Sequence, residues 1–103
     1  MDVLHIAEVM YPSGSVRARY ARYLSDDRTR WVRHGLYLEY HEGGTPKSEG
    51  AYEHGQEHGP WTDFHANGQP AARGRYELGN EVGVWNYWSE DGTPEAPQGF
   101  SNP

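Results

Sequence analysis

From Val32 to Pro103 the chain repeats one pattern three times at a spacing of 24 residues, and this period constrains the fold more than any other feature. The first arms read Gly35-Leu-Tyr37-Leu-Glu-Tyr40, Gly59-Pro-Trp61-Thr-Asp-Phe64 and Gly83-Val-Trp85-Asn-Tyr-Trp88. Each runs on to a second glycine and a proline at matched places, Gly44/Gly68/Gly92 and Pro46/Pro70/Pro94. A second arm follows, in which Gly50-Ala-Tyr52 matches Gly74-Arg-Tyr76 and, more loosely, Gln98-Gly-Phe100.

A short unit repeated in register cannot bury its own apolar face, so neighbouring units must stack to do it. Gly-x-aromatic-x-x-aromatic is too short and too rich in glycine for a helix, which leaves a β-hairpin as the unit. The Gly-Gly, Asn-Gly and Asp-Gly pairs ending at Gly44, Gly68 and Gly92 are tight-turn signals, and further turns are expected at His54-Gly55 and Leu78-Gly79. The expected architecture is all-β: a single-layer antiparallel meander of about six to eight strands.

These matched glycines and aromatics resemble the MORN repeat variant family over roughly residues 32–103. The resemblance implies a hairpin array that acts in protein contacts, with lipid binding proposed for some relatives. Bacterial proteins carrying such repeats are often classed as antitoxins or immunity proteins, so it also implies a protein partner, a toxin, whose surface is masked. A structural adaptor or membrane-peripheral scaffold is the alternative it implies.

Residues 1–31 fit the pattern poorly. Val3 to Tyr11 reads as a strand closed by the turn signal Pro12-Ser-Gly14, and Ser15 to Leu24 resumes either as a strand or as a helix of Arg, Ala and Leu. Tyr11, Gly14, Tyr20 and Tyr23 imitate the later units with the spacing one or two residues out, as a degenerate capping unit would. Ser25-Asp-Asp27 reads as a turn, and Arg28 to Arg33 as the strand entering the array. The whole is expected to form one domain, residues 1–31 capping three repeats over 32–103.

Composition excludes much. Aromatics are 14% of all residues within a hydrophobic total of 35%, so rings must lie over a thin sheet rather than fill a thick aliphatic core. A chain of 103 residues leaves little room for an enclosed active site. Without cysteine there is neither a disulfide nor a thiolate metal site. No apolar run is long enough to span a membrane and Met1 to Met10 lacks the basic start of a signal peptide, so a cytoplasmic location is expected.

The net charge of −6 hides a division. Residues 1–33 carry six arginines against four acids, and residues 34–103 carry three cations against eleven acids. An acidic array weighs against nucleic acid and anionic lipid and favours a basic protein partner. The six arginines could form a basic patch, but a solvated edge whose arginines pair with the array's acids is the stronger reading.

Chemistry finds little support. Glu39 and Asp63 are repeat-equivalent carboxylates two strands apart, about 10 Å, with no cleft between them. The histidine pairs 34/58 and 41/65 have no third ligand, because Val82 and Ser89 hold the equivalent places. No cofactor motif and no activated nucleophile is present, and neither catalysis nor a cofactor is expected. Binding remains. The candidate partner-binding residues are the acids Glu39, Glu53, Asp63 and Glu77 with the rings of Tyr40, Tyr52, Phe64, Tyr76 and Trp88.

Overall fold

A computed structural model describes residues 3–100, so the outer ends expected for the capping unit and for the third repeat lie outside the described residues. Nine strands form one antiparallel sheet: β1 His5–Met10, β2 Val16–Leu24, β3 Trp31–Tyr40, β4 Pro46–Glu53, β5 Gln56–Glu57, β6 Gly59–Phe64, β7 Pro70–Glu77, β8 Asn80–Tyr87 and β9 Gln98–Phe100. Neighbours in space follow the chain order, with the two-residue β5 pairing beside β6 against β4. The strand count exceeds the expected six to eight because a backbone irregularity at His58-Gly59, with Gly59 at φ 84°, divides β5 from β6. Principal extents of 46 × 40 × 16 Å leave no depth for a second layer, which would pack about 10 Å away.

The turns explain the period. His41 N–H donates to Thr45 O and Gly44 N–H to His41 O, and the same two bonds close the turns at 65–69 and 89–93. Only the last glycine of each pair takes positive φ, at Gly44, Gly68 and Gly92, so these are three-residue loops ending in a left-handed glycine rather than two-residue loops. The opposite turns do take positive φ at both central residues, His54-Gly55 and Leu78-Gly79, as two-residue hairpin loops require.

The N-terminal segment is a strand pair, and the helical alternative for 15–24 is overturned. Its turn carries the same bonds, Tyr11 N–H to Ser15 O and Gly14 N–H to Tyr11 O. Counted from its turn glycine, Tyr20 occupies the place of Gly50 and Gly74, so the hairpin keeps the backbone register of the later units while its rings stand one or two residues away from theirs. The offset arises later, in the loop Ser25 to Arg30, where Ser25 N–H donates to Arg30 O and Arg28 takes φ 62°. Arg28 to Arg30 therefore belong to a turn rather than to the entering strand. Hydroxyls of Ser25 and Thr29, then the Thr29 N–H, hold the Asp27 carboxyl down at about 2, so it stays an acceptor that fixes this loop.

Adjacent turns are stapled by side chains. Tyr11 OH donates to Tyr40 O (2.7 Å), His41 Nε2 to Phe64 O (3.0 Å) and His65 Nε2 to Trp88 O (2.8 Å). A second series runs beside it, Ser15 Oγ to Glu42 O, Thr45 Oγ1 to Ala66 O and Asn67 Nδ2 to Glu90 O. In every case a turn donates to the next turn along the chain. His41 and His65 are thus structural donors. His34 and His58 serve as acceptors, taking the N–H of His54 and Leu78 on Nδ1.

The buried apolar residues are few and spread along the sheet: Ala7, Ala18, Ala21, Val32, Trp61, Val82 and Trp85. Trp61 and Trp85 are the large ones, 7% and 3% exposed. Each indole occupies the space a side chain would need on a glycine of the preceding strand, Gly50 for Trp61 and Gly74 for Trp85. Each also donates Nε1–H to a backbone carbonyl, of Ala51 (3.0 Å) and Arg75 (3.2 Å). The seat is not at Gly59, where an added Cβ would meet open space; that glycine is fixed instead by its positive φ.

Candidate protein-binding face

Register places one line of residues straight across the sheet. Ala7 pairs with Tyr20, Tyr20 with Tyr37, Tyr37 with Gly50, Trp61 with Gly74 and Trp85 with Gln98. Paired residues point to the same face, so Tyr20, Tyr37, Trp61 and Trp85 share a face with their glycine seats. Tyr52 and Tyr76 join them from the next line, opposite Gly35 and Gly59. The rings form a continuous ladder, Tyr20–Tyr37–Tyr52–Trp61–Tyr76–Trp85, with centroid separations of 5.7, 5.3, 5.5, 5.8 and 5.1 Å. Most steps are edge-to-face, the geometry that ring quadrupoles favour.

Carboxylates border this ladder on both sides. Glu39 and Asp63 lie along one border, separated by Ser48, which pairs with both and donates its hydroxyl to Asp63 (2.7 Å). They are two strands apart, as the repeat required. Glu57 and Glu81 lie along the other border, opposite Tyr52 and Tyr76. Burial pushes the Tyr37 hydroxyl up to about 12, reinforced by its hydrogen bond and charge contact with Glu39 (3.0 Å). Burial likewise raises Tyr76 to about 12, with the charges of Glu81, Glu57 and Asp63 adding to it. Both phenols are therefore held neutral beside the carboxylates of this face.

The nine residues singled out from sequence do not form one surface. Glu39, Tyr52, Asp63 and Tyr76 belong to the ladder face. Tyr40, Glu53, Phe64, Glu77 and Trp88 fall on the opposite face by strand alternation. There Arg73 reaches Thr62 Oγ1 (3.2 Å) and lies 6.0 Å from the Trp88 ring. Lys47, which simple alternation from Ser48 would put on that opposite face, instead reaches Glu39 (3.6 Å). The hairpin skips it between the Glu39–Ser48 and Tyr40–Pro46 pairs, a bulge that re-aims its side chain.

The arginines also depart from expectation. Among the described residues the ion pair of an N-terminal arginine is Arg19 with Glu8, inside its own hairpin. Arg22 lies 4.1 Å over the Trp31 ring, and Arg33 lies 4.9, 5.6 and 5.5 Å from the rings of Tyr20, Tyr37 and Tyr52. These cations rest on aromatic faces rather than on the array's acids. Sequence reasoning missed Glu57 and Glu81, although the period carried the signal: they stand 24 and 48 residues after Arg33.

Hairpins of this length, with Trp61 and Trp85 each laid on a glycine of the hairpin before, can be compared with known families. Residues 33–54 and 57–77 match the MORN repeat variant. The match takes in two of the three units; the N-terminal hairpin and the last unit lie outside it. No curated protein and no solved structure matches the chain. MORN repeats are commonly modules that bind proteins or membranes, and an open sheet with a ladder of rings on one face suits that role. No helix among the described residues is long and apolar enough to cross a membrane.

Proposed function

We propose that this chain is a protein-binding module that docks its ladder face on a basic surface of another protein and masks it, as an antitoxin or immunity protein silences a toxin. The observation that carries the reading is the ring ladder bordered by Glu39 and Asp63 on one side and Glu57 and Glu81 on the other. Rings supply contact area at little entropic cost, and the acidic borders steer and orient a cationic partner. Glu39, Tyr52, Asp63 and Tyr76 form the primary contact set. Tyr40, Glu53, Phe64, Glu77 and Trp88 offer a second surface on the reverse side.

The membrane-peripheral alternative is weaker, because residues 34–103, with eleven acids against three cations, repel anionic headgroups. The test is co-expression with the product of the neighbouring reading frame. Masking predicts that the neighbour is harmful alone, that this chain restores growth, and that the two co-purify. A neighbour that is harmless alone, or that does not co-purify, removes the antitoxin reading.

A further inference from the structure

The repeat places three residues in one structural position with opposite charges. Arg33, Glu57 and Glu81 each sit at the start of a unit, opposite the matched residue of the preceding arm: Arg22, Tyr52 and Tyr76. In the first unit the position is a cation, and its guanidinium lies among three rings, Tyr20, Tyr37 and Tyr52. In the second unit the position is Glu57, which pairs with Tyr52 across the sheet and whose charge acts on the Tyr52 and Tyr76 hydroxyls. Tyr52 and Tyr76 stand nearly perpendicular to Trp61, at 84° and 78°, on either side of it. Where the first unit has the Tyr20 ring, the second has Gly50, over which the Trp61 indole lies.

From this comparison we infer that the Tyr52, Trp61 and Tyr76 cluster with Glu57 is a receptor site for an arginine side chain of the partner protein, the place that Arg33 fills internally one unit earlier. The inference rests on the binding function proposed above and names the chemistry it recognises. Aromatic rings attract a guanidinium through their negative faces, and a neighbouring carboxylate adds an ion pair and a hydrogen-bond acceptor. In the first unit the guanidinium comes from the chain itself. In the second the chain supplies the carboxylate, leaving the cation to come from outside. Glu81, Glu57 and Asp63 all act on the Tyr76 hydroxyl through their charge, so three acids face an incoming cation. Arginine suits the site better than lysine, because its plane can lie over the face of one ring while its edge meets a carboxylate.

The repeat supplies its own test. Glu57→Arg writes the first unit's cation into the second and should fill the site from within. Glu57→Gln removes the charge without filling it. The probe is an acetylated, amidated Gly-Arg-Gly-Arg-Gly peptide, with a citrulline counterpart of the same shape and no charge. The readout is the indole N–H resonance of Trp61 together with the melting temperature. The intact chain should show a saturable shift with the arginine peptide and none with citrulline. Glu57→Arg should weaken binding about tenfold or more with the fold retained, and Glu57→Gln should weaken it less.

An intact chain that ignores the arginine peptide, responds equally to citrulline, or binds as tightly after Glu57→Arg overturns the inference. If either variant unfolds, the other together with the citrulline comparison still decides. Failure here is separable from failure of the masking function. A co-purifying partner captured equally by the intact chain and by Glu57→Arg sinks the arginine site alone, whereas a neighbour that never co-purifies sinks masking and leaves the peptide titration to judge the site.

Discussion

The indole of Trp85 lies where a side chain on Gly74 would have to go, and its Nε1–H donates to the carbonyl of the very next residue, Arg75. The same pairing recurs one unit earlier between Trp61 and Gly50. A ring and a missing side chain on an adjacent strand thus form one packing element. Replacing Trp61 or Trp85 by alanine should cost about 3 to 5 kcal/mol in urea unfolding. Gly74→Ala should cost about 1 to 3 kcal/mol by overpacking, but little when Trp85 is already alanine. Additive costs in that double-mutant cycle would show that ring and glycine do not share the space.

Tyr11→Phe removes one hydroxyl and nothing else. Because that hydroxyl staples the first turn to the carbonyl of Tyr40, the loss should be about 1 kcal/mol. His65→Phe should behave alike through Trp88 O, with faster hydrogen exchange confined to the 89–93 turn. A uniform rise in exchange across the sheet would contradict a local staple.

Alkaline titration offers a third test. Tyr37 and Tyr76 have folded-state values raised to about 12 from an ordinary 10, so folding favours the protonated phenol. Their contribution is complete below pH 10 and is lost as pH climbs toward 12. Urea midpoints should therefore hold steady from pH 8 to about 9.5 and fall beyond it. Glu39→Gln should soften that fall, since the Glu39 hydrogen bond and charge help to raise Tyr37. A midpoint unchanged at pH 11.5 would contradict the burial of these hydroxyls.

Charge reversal addresses recognition. Converting Glu39 and Asp63 to lysine should slow association with a basic partner several-fold at low salt and much less at high salt, with the fold intact. Association indifferent to both the reversals and the ionic strength would move the interface to the reverse side or to the arginine-bearing hairpin.

The period, the turns, the all-β class and the antiparallel meander were readable because glycine, proline and aromatic residues recur in register, and each has a local backbone consequence. Less was readable where consequence is not local. Gly59 and Gly50 look alike in sequence, yet one serves by its positive φ and the other by having no side chain under Trp61. The bulge that turns Lys47 toward Glu39 depends on hairpin register, which the sequence does not state. Six residues inserted between Leu24 and Trp31 concealed the kinship of the first hairpin, since alignment from the array backward meets the insertion first. The candidate acids were found by proximity to rings in the sequence, and strand alternation then sent half of the chosen set to the reverse side.

The staples and the ring seats both join a hairpin to its neighbour along the chain. The indoles of Trp61 and Trp85 each rest on a strand that precedes them, and each staple reaches from an earlier turn to a later one. During synthesis the seats of Trp61 and Trp85 are therefore complete before those indoles leave the ribosome, and the staple donors of one turn are met when the next turn emerges. Such a chain can assemble in the order in which it is translated, each hairpin closing on a finished surface, so that little apolar area stands exposed while the next 24 residues emerge.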